Sequence, residues 1–247
     1  MRVYRRIVLL IITICIIPTS LFALTAEEIM RKADNLQTFA TAESAGEFQI
    51  KDRFGVKVST FTAWSRGKED SLIEFTSIAE RGQKILRTKD SLYLYYPDAE
   101  ELIRMQGSAL RQGMLGSDVS YEDMTGGKDR LSDYDVTLAK DETIDGRPCY
   151  VLHLSALTRS VPYPKETVWI DKENFLVMRG EYSTKSGRLL KEMETLETGV
   201  FDGIPVATKT RISDMMKSDS ETLIIISDLK VNIPLDERIF SLEELSW

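Results

Sequence analysis

The feature that most constrains this chain is an alternation of apolar and polar residues, repeated in short segments and punctuated by turn dipeptides. Glu47-Phe48-Gln49-Ile50-Lys51 alternates, as do Val56-Lys57-Val58-Ser59 and Ser71-Leu72-Ile73-Glu74-Phe75, and Ser91 to Tyr96 runs into Pro97-Asp98. Asp135 to Leu138, Tyr150 to Leu154, Thr167 to Ile170 and Phe175 to Met178 follow. The C-terminal half adds Leu189 to Leu196, Val206 to Ile212, Leu223 to Ile226 and Leu229 to Ile233. A period of two puts successive side chains on opposite faces of a strand. Asp145-Gly146, Asp171 to Asn174, Ser186-Gly187 and Asp202-Gly203 mark the reversals between them. Short strands repeated at this spacing predict an antiparallel sheet large enough to curl.

One helix is signalled before the strands. Thr25 followed by Glu28 is a capping box, and Ile29, Met30, Ala33 and Leu36 recur at helical spacing. With a single apolar stripe, this helix should lie across an apolar surface. A segment from Gln106 to Asp133, rich in Gly, Ser, Met and acid, breaks the strand pattern halfway. It reads as a loop with a short helical turn through Met124, capped by Ser117 or Asp118. A loop this long inside a compact domain carries function or motion. The fold class expected is mainly β with some α (α+β): a curved antiparallel sheet, an unclosed barrel, with helices over its hollow.

The N-terminus reads as an export signal. Arg2, Arg5 and Arg6 precede an apolar run from Ile7 to Ile17, and Pro18-Thr19-Ser20 breaks it before Phe22-Ala23. The run is shorter than the roughly 20 residues that span a bilayer, although an uncleaved anchor is the alternative. Residues 1–23 are therefore assigned to a signal peptide and 24–247 to one domain, with no linker, repeat or low-complexity stretch dividing it. Cys15 lies inside the apolar run instead of at its end, so a lipoprotein signal is not indicated. After cleavage only Cys149 remains and no intramolecular disulfide is possible. Losing the three leader arginines takes the formal charge from −7 to about −10. Nucleic acid is not an expected partner for so acidic a chain.

No catalytic constellation stands out, and the chain is not expected to be an enzyme. His153 is the only histidine, and it shares an alternating strand with Cys149. Residues four apart in a strand are separated by roughly 13 Å, too far for a nucleophile–base pair. One His and one Cys without ligand spacing predict no metal, and no cofactor is expected. Gly113-Met114-Leu115-Gly116 lacks the lysine of a phosphate loop. The informative set is apolar: Phe48, Ile50, Phe61, Trp64, Ile73, Phe75, Leu92, Leu94, Tyr96, Trp169 and Met178 lie on predicted strands. They are candidates for lining a cavity, with plain core packing as the competing reading for most.

Several runs resemble the outer-membrane lipoprotein-sorting family, relatives of the periplasmic lipoprotein carrier LolA. They are Arg81 to Arg87, Leu92 to Pro97, and above all Gly116-Ser117-Asp118-Val119-Ser120-Tyr121-Glu122-Asp123-Met124. Asp133-Tyr134, Cys149 to Leu152, Tyr163-Pro164-Lys165, Trp169 to Lys172 and Gly187 to Lys191 continue the likeness in order. The resemblance implies an unclosed barrel with a helical lid over an apolar cavity, in a periplasmic carrier of the acyl chains of lipoproteins or lipids. Met114, Leu115, Tyr121 and Met124 are then lid residues. The implied partners are a lipoprotein or lipid cargo, an inner-membrane transporter and an outer-membrane acceptor, with the chain acting as a monomer. Two other readings keep the fold, a lipid-sensing regulator and an accessory protein feeding lipid to an envelope transporter. Turnover of a lipid ester by the purified protein would instead mark an enzyme.

Overall fold

The computed structural model describes residues 23–89, 91–125, 130–159 and 161–245. The apolar run with Cys15, and the expected leader up to Phe22, lie outside these residues. Helix α1 (Ala26–Leu36) starts at the predicted box: the Glu28 amide donates to Thr25 Oγ1 at 3.2 Å and the Thr25 amide to Glu28 Oε2 at 2.9 Å. Its buried Ile29, Met30 and Ala33 form the predicted stripe.

All fourteen strands of the described residues belong to one sheet. The first half comprises β1 (Thr41–Asp52), β2 (Gly55–Arg66), β3 (Asp70–Phe75), β4 (Lys84–Thr88), β5 (Ser91–Tyr96) and β6 (Glu101–Met105). The second comprises β7 (Tyr134–Leu138), β8 (Glu142–Ile144), β9 (Arg147–Ala156), β10 (Lys165–Asp171), β11 (Val177–Ser183), β12 (Leu189–Phe201), β13 (Ile204–Asp214) and β14 (Glu221–Val231). The order is β6-β5-β4-β3-β2-β1-β14-β13-β12-β11-β10-β9-β7, with β8 paired to β9. Every pairing is antiparallel, and β1 against β14 joins the two halves. The edge strands β6 and β7 do not pair, so the barrel is not closed. It does curl: Leu92 and Met105, near one edge, line the same cavity as Tyr134 and Glu166, near the other.

Turn chemistry fixes the hairpins. Asp145 and Gly146 both have positive φ (48° and 80°), as do Asp202 and Gly203 (48° and 79°). Two such residues reverse the chain with the twist that flanking strands require, which is why Asp-Gly marks these turns. The strand between Leu223 and Ile233 is a single β14, not two. Ser227 is skipped where the register jumps from Ala45↔Asp228 to Gly46↔Ile226, and this bulge breaks the alternation. Gly46 sits at the bulge because a Cβ there would lie 2.2 Å from the Ile225 carbonyl oxygen. Strands β4, β6 and β8 were not anticipated. In β4 adjacent Ile85 and Leu86 are buried on opposite faces, so no alternation is visible. Phe175 belongs to the turn before β11.

Three packed layers surround the sheet. Helix α1 covers the concave face of β7, β9 and β10, on Val136, Leu152, Leu154, Val168 and Ile170. The segment after β6 covers the concave face of β1 to β5. It comprises short 3-10 turns and helix α2 (Tyr121–Thr125), whereas the following helix α3 (Arg130–Asp133) packs beside α1 and β7. On the convex face, Phe240 and Leu245 of the C-terminal segment close over Leu72 and Leu86.

Candidate functional site

The concave face holds a cavity of about 650 Å³ between the two covering layers. One wall is apolar: Leu92 of β5, Met105 of β6, Leu110 of the covering segment, Met193 of β12 and Ile212 of β13. The other wall is ionic and aromatic. Arg130 of α3, Glu166 of β10, Lys191 of β12, Asp123 of α2 and the phenols of Tyr134, Tyr163 and Tyr182 meet there.

These polar groups form one connected set. Arg130 lies between two carboxylates, its Nη1 at 3.5 Å from Asp34 Oδ1 of α1 and its Nε at 3.7 Å from Glu166 Oε2. The ammonium of buried Lys191 donates to Asp123 Oδ2, and the Tyr163 hydroxyl donates to Asp123 Oδ1 at 2.6 Å. Tyr134 in turn donates to the Tyr163 carbonyl at 2.9 Å. Burial pushes the Glu166 carboxyl above its ordinary range, against the pull of Arg130 and of the Tyr134 hydroxyl. Burial likewise raises the Tyr163 phenol, helped by Asp123, and takes Tyr182 up to about 12. All the phenols are thus neutral donors at physiological pH.

The covering segment is pinned at both ends. Helix α2 is capped by Ser120, whose Oγ accepts from the Asp123 amide at 3.2 Å while Asp123 Oδ2 accepts from the Ser120 amide at 2.7 Å. The expected cap, Ser117 or Asp118, is used differently. Buried Asp118 accepts from Ser220 Oγ at 2.7 Å and from Thr222 Oγ1 at 3.2 Å, with Lys217 Nζ 3.2 Å away. On the opposite side Arg87 of β4 donates to the Met124 carbonyl at 3.0 Å and to the Lys68 carbonyl.

Of the apolar candidates, Phe48, Ile50, Phe61, Ile73, Phe75, Leu92, Leu94 and Tyr96 come together in one cluster on the concave face. Met114, Leu115, Tyr121 and Met124 of the covering segment pack against the same cluster. Only Leu92 of these reaches the open cavity; the others are packed behind or beneath the covering segment. Trp64, Trp169 and Met178 face the convex side. Trp64 packs with the C-terminal cluster around Phe240, and its Nε1 donates to Glu43 at 3.0 Å. Trp169 and Met178 pack with Cys149 and Leu176, and Trp169 Nε1 donates to Glu142 at 2.9 Å. Strand β10 is buried on both faces, which hides its parity, and a register shift against β11 offsets Met178. His153 is an exposed strand residue whose Nδ1 lies 3.1 Å from Thr167 Oγ1. Among the described residues no group of three or more His, Cys, Asp or Glu could hold a metal ion.

Sequence reasoning missed the ionic wall. A signal existed for part of it: Glu166 is in phase with inward Val168 and Ile170, and Lys191 with inward Met193 and Thr195. A charge in the apolar phase of a strand is either a misread register or a functional group. Nothing in the sequence brings Arg130 or Tyr163 to the same place.

Comparisons with known proteins fit this architecture. Residues 67–247 match a family described as "-like: Uncharacterized protein". A DUF1329 family protein from Desulfovibrio piger superposes with a TM-score of 0.82 at 26% identity, covering 89% of this chain and 97% of that one. A LolA superfamily protein from Nitrosomonas europaea gives 0.74 at 28% identity, with 90% and 100% covered. The chain belongs to the family of that model, and its fold is the one it shares with these neighbours, the LolA superfamily protein among them. A putative outer membrane lipoprotein-sorting protein domain from Vibrio parahaemolyticus shares the LolA-like fold, at a TM-score of 0.80, 20% identity and 90% and 98% coverage. A search of curated proteins gave no match. The large unclosed antiparallel sheet with few helices is the LolA-like fold of these neighbours. No helix among the described residues is long and apolar enough to cross a membrane.

Proposed function

We propose that this LolA-like protein is a periplasmic carrier that shelters acyl chains of lipoproteins or lipids in its concave cavity during transfer towards the outer membrane. The observation that carries the reading is the cavity of about 650 Å³ with its aliphatic wall of Leu92, Met105, Leu110, Met193 and Ile212. That volume falls within the roughly 300–1,000 Å³ of small-ligand sites. The need for a carrier follows from transfer energetics. Each methylene removed from water is worth about 0.8 kcal/mol, so a sixteen-carbon chain resists crossing an aqueous gap by about 12 kcal/mol. A carrier must remove that barrier and still release its load, and a lid that opens does both. The covering segment around α2 is the lid, held by Asp123, Asp118 and Arg87. The order of leader, acidic mature domain and family membership supports export to the periplasm, with transfer from an inner-membrane transporter to an outer-membrane acceptor. The protein works as a binding protein, not as an enzyme.

The test is saturable uptake of a fluorescent fatty acid by the purified protein. Binding lost when a disulfide engineered between lid and sheet holds the cavity shut, and restored by reductant, supports the reading. No uptake, or uptake indifferent to the lock, contradicts it.

A further inference from the structure

Exposed apolar side chains gather at one end of the sheet. Strands β1, β3 and β13 run towards that end, and the turns that follow them lie there: Arg53-Phe54, residues 76–83 and residues 215–220. Phe54, at the tip of the β1–β2 hairpin, is 82% exposed, and Ile78 is 91% exposed. Val56 and Val58 of the hairpin and Met215 and Met216 of the β13–β14 loop are exposed too. Lys51 pairs with Val56 on one side and with Glu221 on the other, which sets the hairpin next to that loop. Every residue from Lys51 to Val58 is exposed, so the hairpin projects beyond the body of the sheet with both faces open. Clustered apolar exposure of this kind marks a contact site.

The tip holds its aromatic ring outward. Asp52 Oδ1 accepts from the Phe54 amide at 2.7 Å, which fixes the turn, and the Arg53 guanidinium lies 4.7 Å from the centre of the Phe54 ring. Charge is distributed differently here from the rest of the chain. The β11–β12 hairpin joins the same end, with Arg188 Nη2 3.0 Å from Met216 Sδ. Residues 51–58, 184–188 and 214–221 together hold six basic and four acidic residues, in a chain of formal net charge −7. Beneath them buried Glu80 pairs with Lys57 at 2.8 Å and buried Asp118 with Lys217 at 3.2 Å. The most apolar end of an acidic chain is thus close to neutral. It can meet an anionic lipid surface without the repulsion that the remainder would meet.

We propose that this end of the sheet docks on a lipid surface, with Phe54 and Val56 entering the head-group region while Lys51 and Arg53 stay among the phosphates. A projecting tip of a few side chains fits a deformable bilayer, whereas a stable protein interface needs roughly 1,200–2,000 Å². A second copy fits poorly, because two hairpins related by a two-fold axis would set like charges against each other. The docking goes beyond the carrier reading and does not depend on what the cavity holds. Lys217, in the loop of Met215 and Met216, also donates to the carbonyls of Gly116 at 3.2 Å and Ser117 at 2.5 Å, so the docking end carries an anchor of the covering segment.

Co-sedimentation of the purified mature protein with vesicles of phosphatidylcholine and phosphatidylglycerol tests the proposal. The unaltered protein is expected to pellet with the vesicles, and Phe54→Ser combined with Val56→Ser should weaken that partitioning at least tenfold. Both side chains are exposed, so Tm should hardly move, and uptake of a fluorescent fatty acid should not change. Ile212→Trp, which fills the cavity, should bind vesicles as the unaltered protein does. The proposal is overturned if the unaltered protein stays in the supernatant or if the double variant pellets equally well. Loss of pelleting in Ile212→Trp would overturn it as well, since the lipid would then be held by the cavity. Dimers that the double variant abolishes, with no vesicle binding, would make a second copy the occupant and overturn it too. Vesicle binding without any fatty-acid uptake would support the docking end and bring down the carrier reading alone.

Discussion

The Tyr163 hydroxyl donates to Asp123 Oδ1 across 2.6 Å, joining the loop before β10 to the covering helix α2. Lys191 of β12 reaches the other oxygen of the same carboxylate. The covering segment's apolar side packs on the first half of the sheet through Tyr121 and Met114, and Asp123 and Asp118 tie it to the second half. Removing the phenolic hydroxyl by Tyr163→Phe keeps the ring against Tyr182 and loses one bond to a charged acceptor. Such bonds are worth about 1.5–3 kcal/mol. Amide exchange over residues 107–125 should accelerate by about tenfold or more, with global stability changed far less.

The opposite anchor behaves differently because it is buried. The Asp118 carboxylate is fully inaccessible and bonded by Ser220, Thr222 and Lys217. Asp118→Ala leaves Thr222, itself buried, without its acceptor. The expected loss is roughly 3 kcal/mol, seen as a fall in Tm of about 6–12 °C in thermal denaturation.

Filling the cavity should separate binding from folding. Ile212 is partly buried on β13 and faces the cavity. Ile212→Trp puts its extra volume into open space instead of packed core, so Tm should move by no more than a few degrees. Uptake of a fluorescent fatty acid should fall at least tenfold. Phe75→Ala is the contrasting change: Phe75 is 1% exposed and fully packed, and its loss should cost about 3–5 kcal/mol of stability.

Glu80 sets an acid limit on the β2–β3 end of the sheet. Its buried carboxylate bears a desolvation cost, which is outweighed by hydrogen bonds from Lys57 at 2.8 Å, Ser77 at 2.6 Å and Ser59 at 3.1 Å. The result is a carboxyl held below its ordinary value of 4.5. A depressed pKa means that the folded state favours the charged form. Its stabilisation is therefore complete above about pH 4.5 and is lost as pH falls through the folded value. In Glu80→Gln this part of the acid dependence should vanish, so the Tm gap to the unaltered protein narrows as pH drops below 4.5.

The parts of the fold legible in the sequence are those set by local chemistry. Thr25 with Glu28 marks a helix start because both partners lie within one turn, and Asp-Gly marks a hairpin because both residues must take positive φ. Alternation placed Phe48, Ile50, Phe61 and Phe75 on one face. It misplaced Trp64, which follows inward Ala63 and so faces out, and it split β14 at Ser227, where a bulge flips the parity. The ionic wall was the least legible part. Arg130, Tyr163, Glu166 and Lys191 come from four separate elements, and only the curl of the sheet makes them neighbours.

The central claim is that the cavity carries an acyl cargo. Its most direct test is mass spectrometry of lipid extracted from the protein after purification from its native envelope under detergent-free conditions. The account predicts acyl lipid or lipoprotein at close to one per protein molecule, reduced several-fold in Ile212→Trp. A protein that emerges free of lipid, or one whose lipid content is the same in Ile212→Trp, would contradict it.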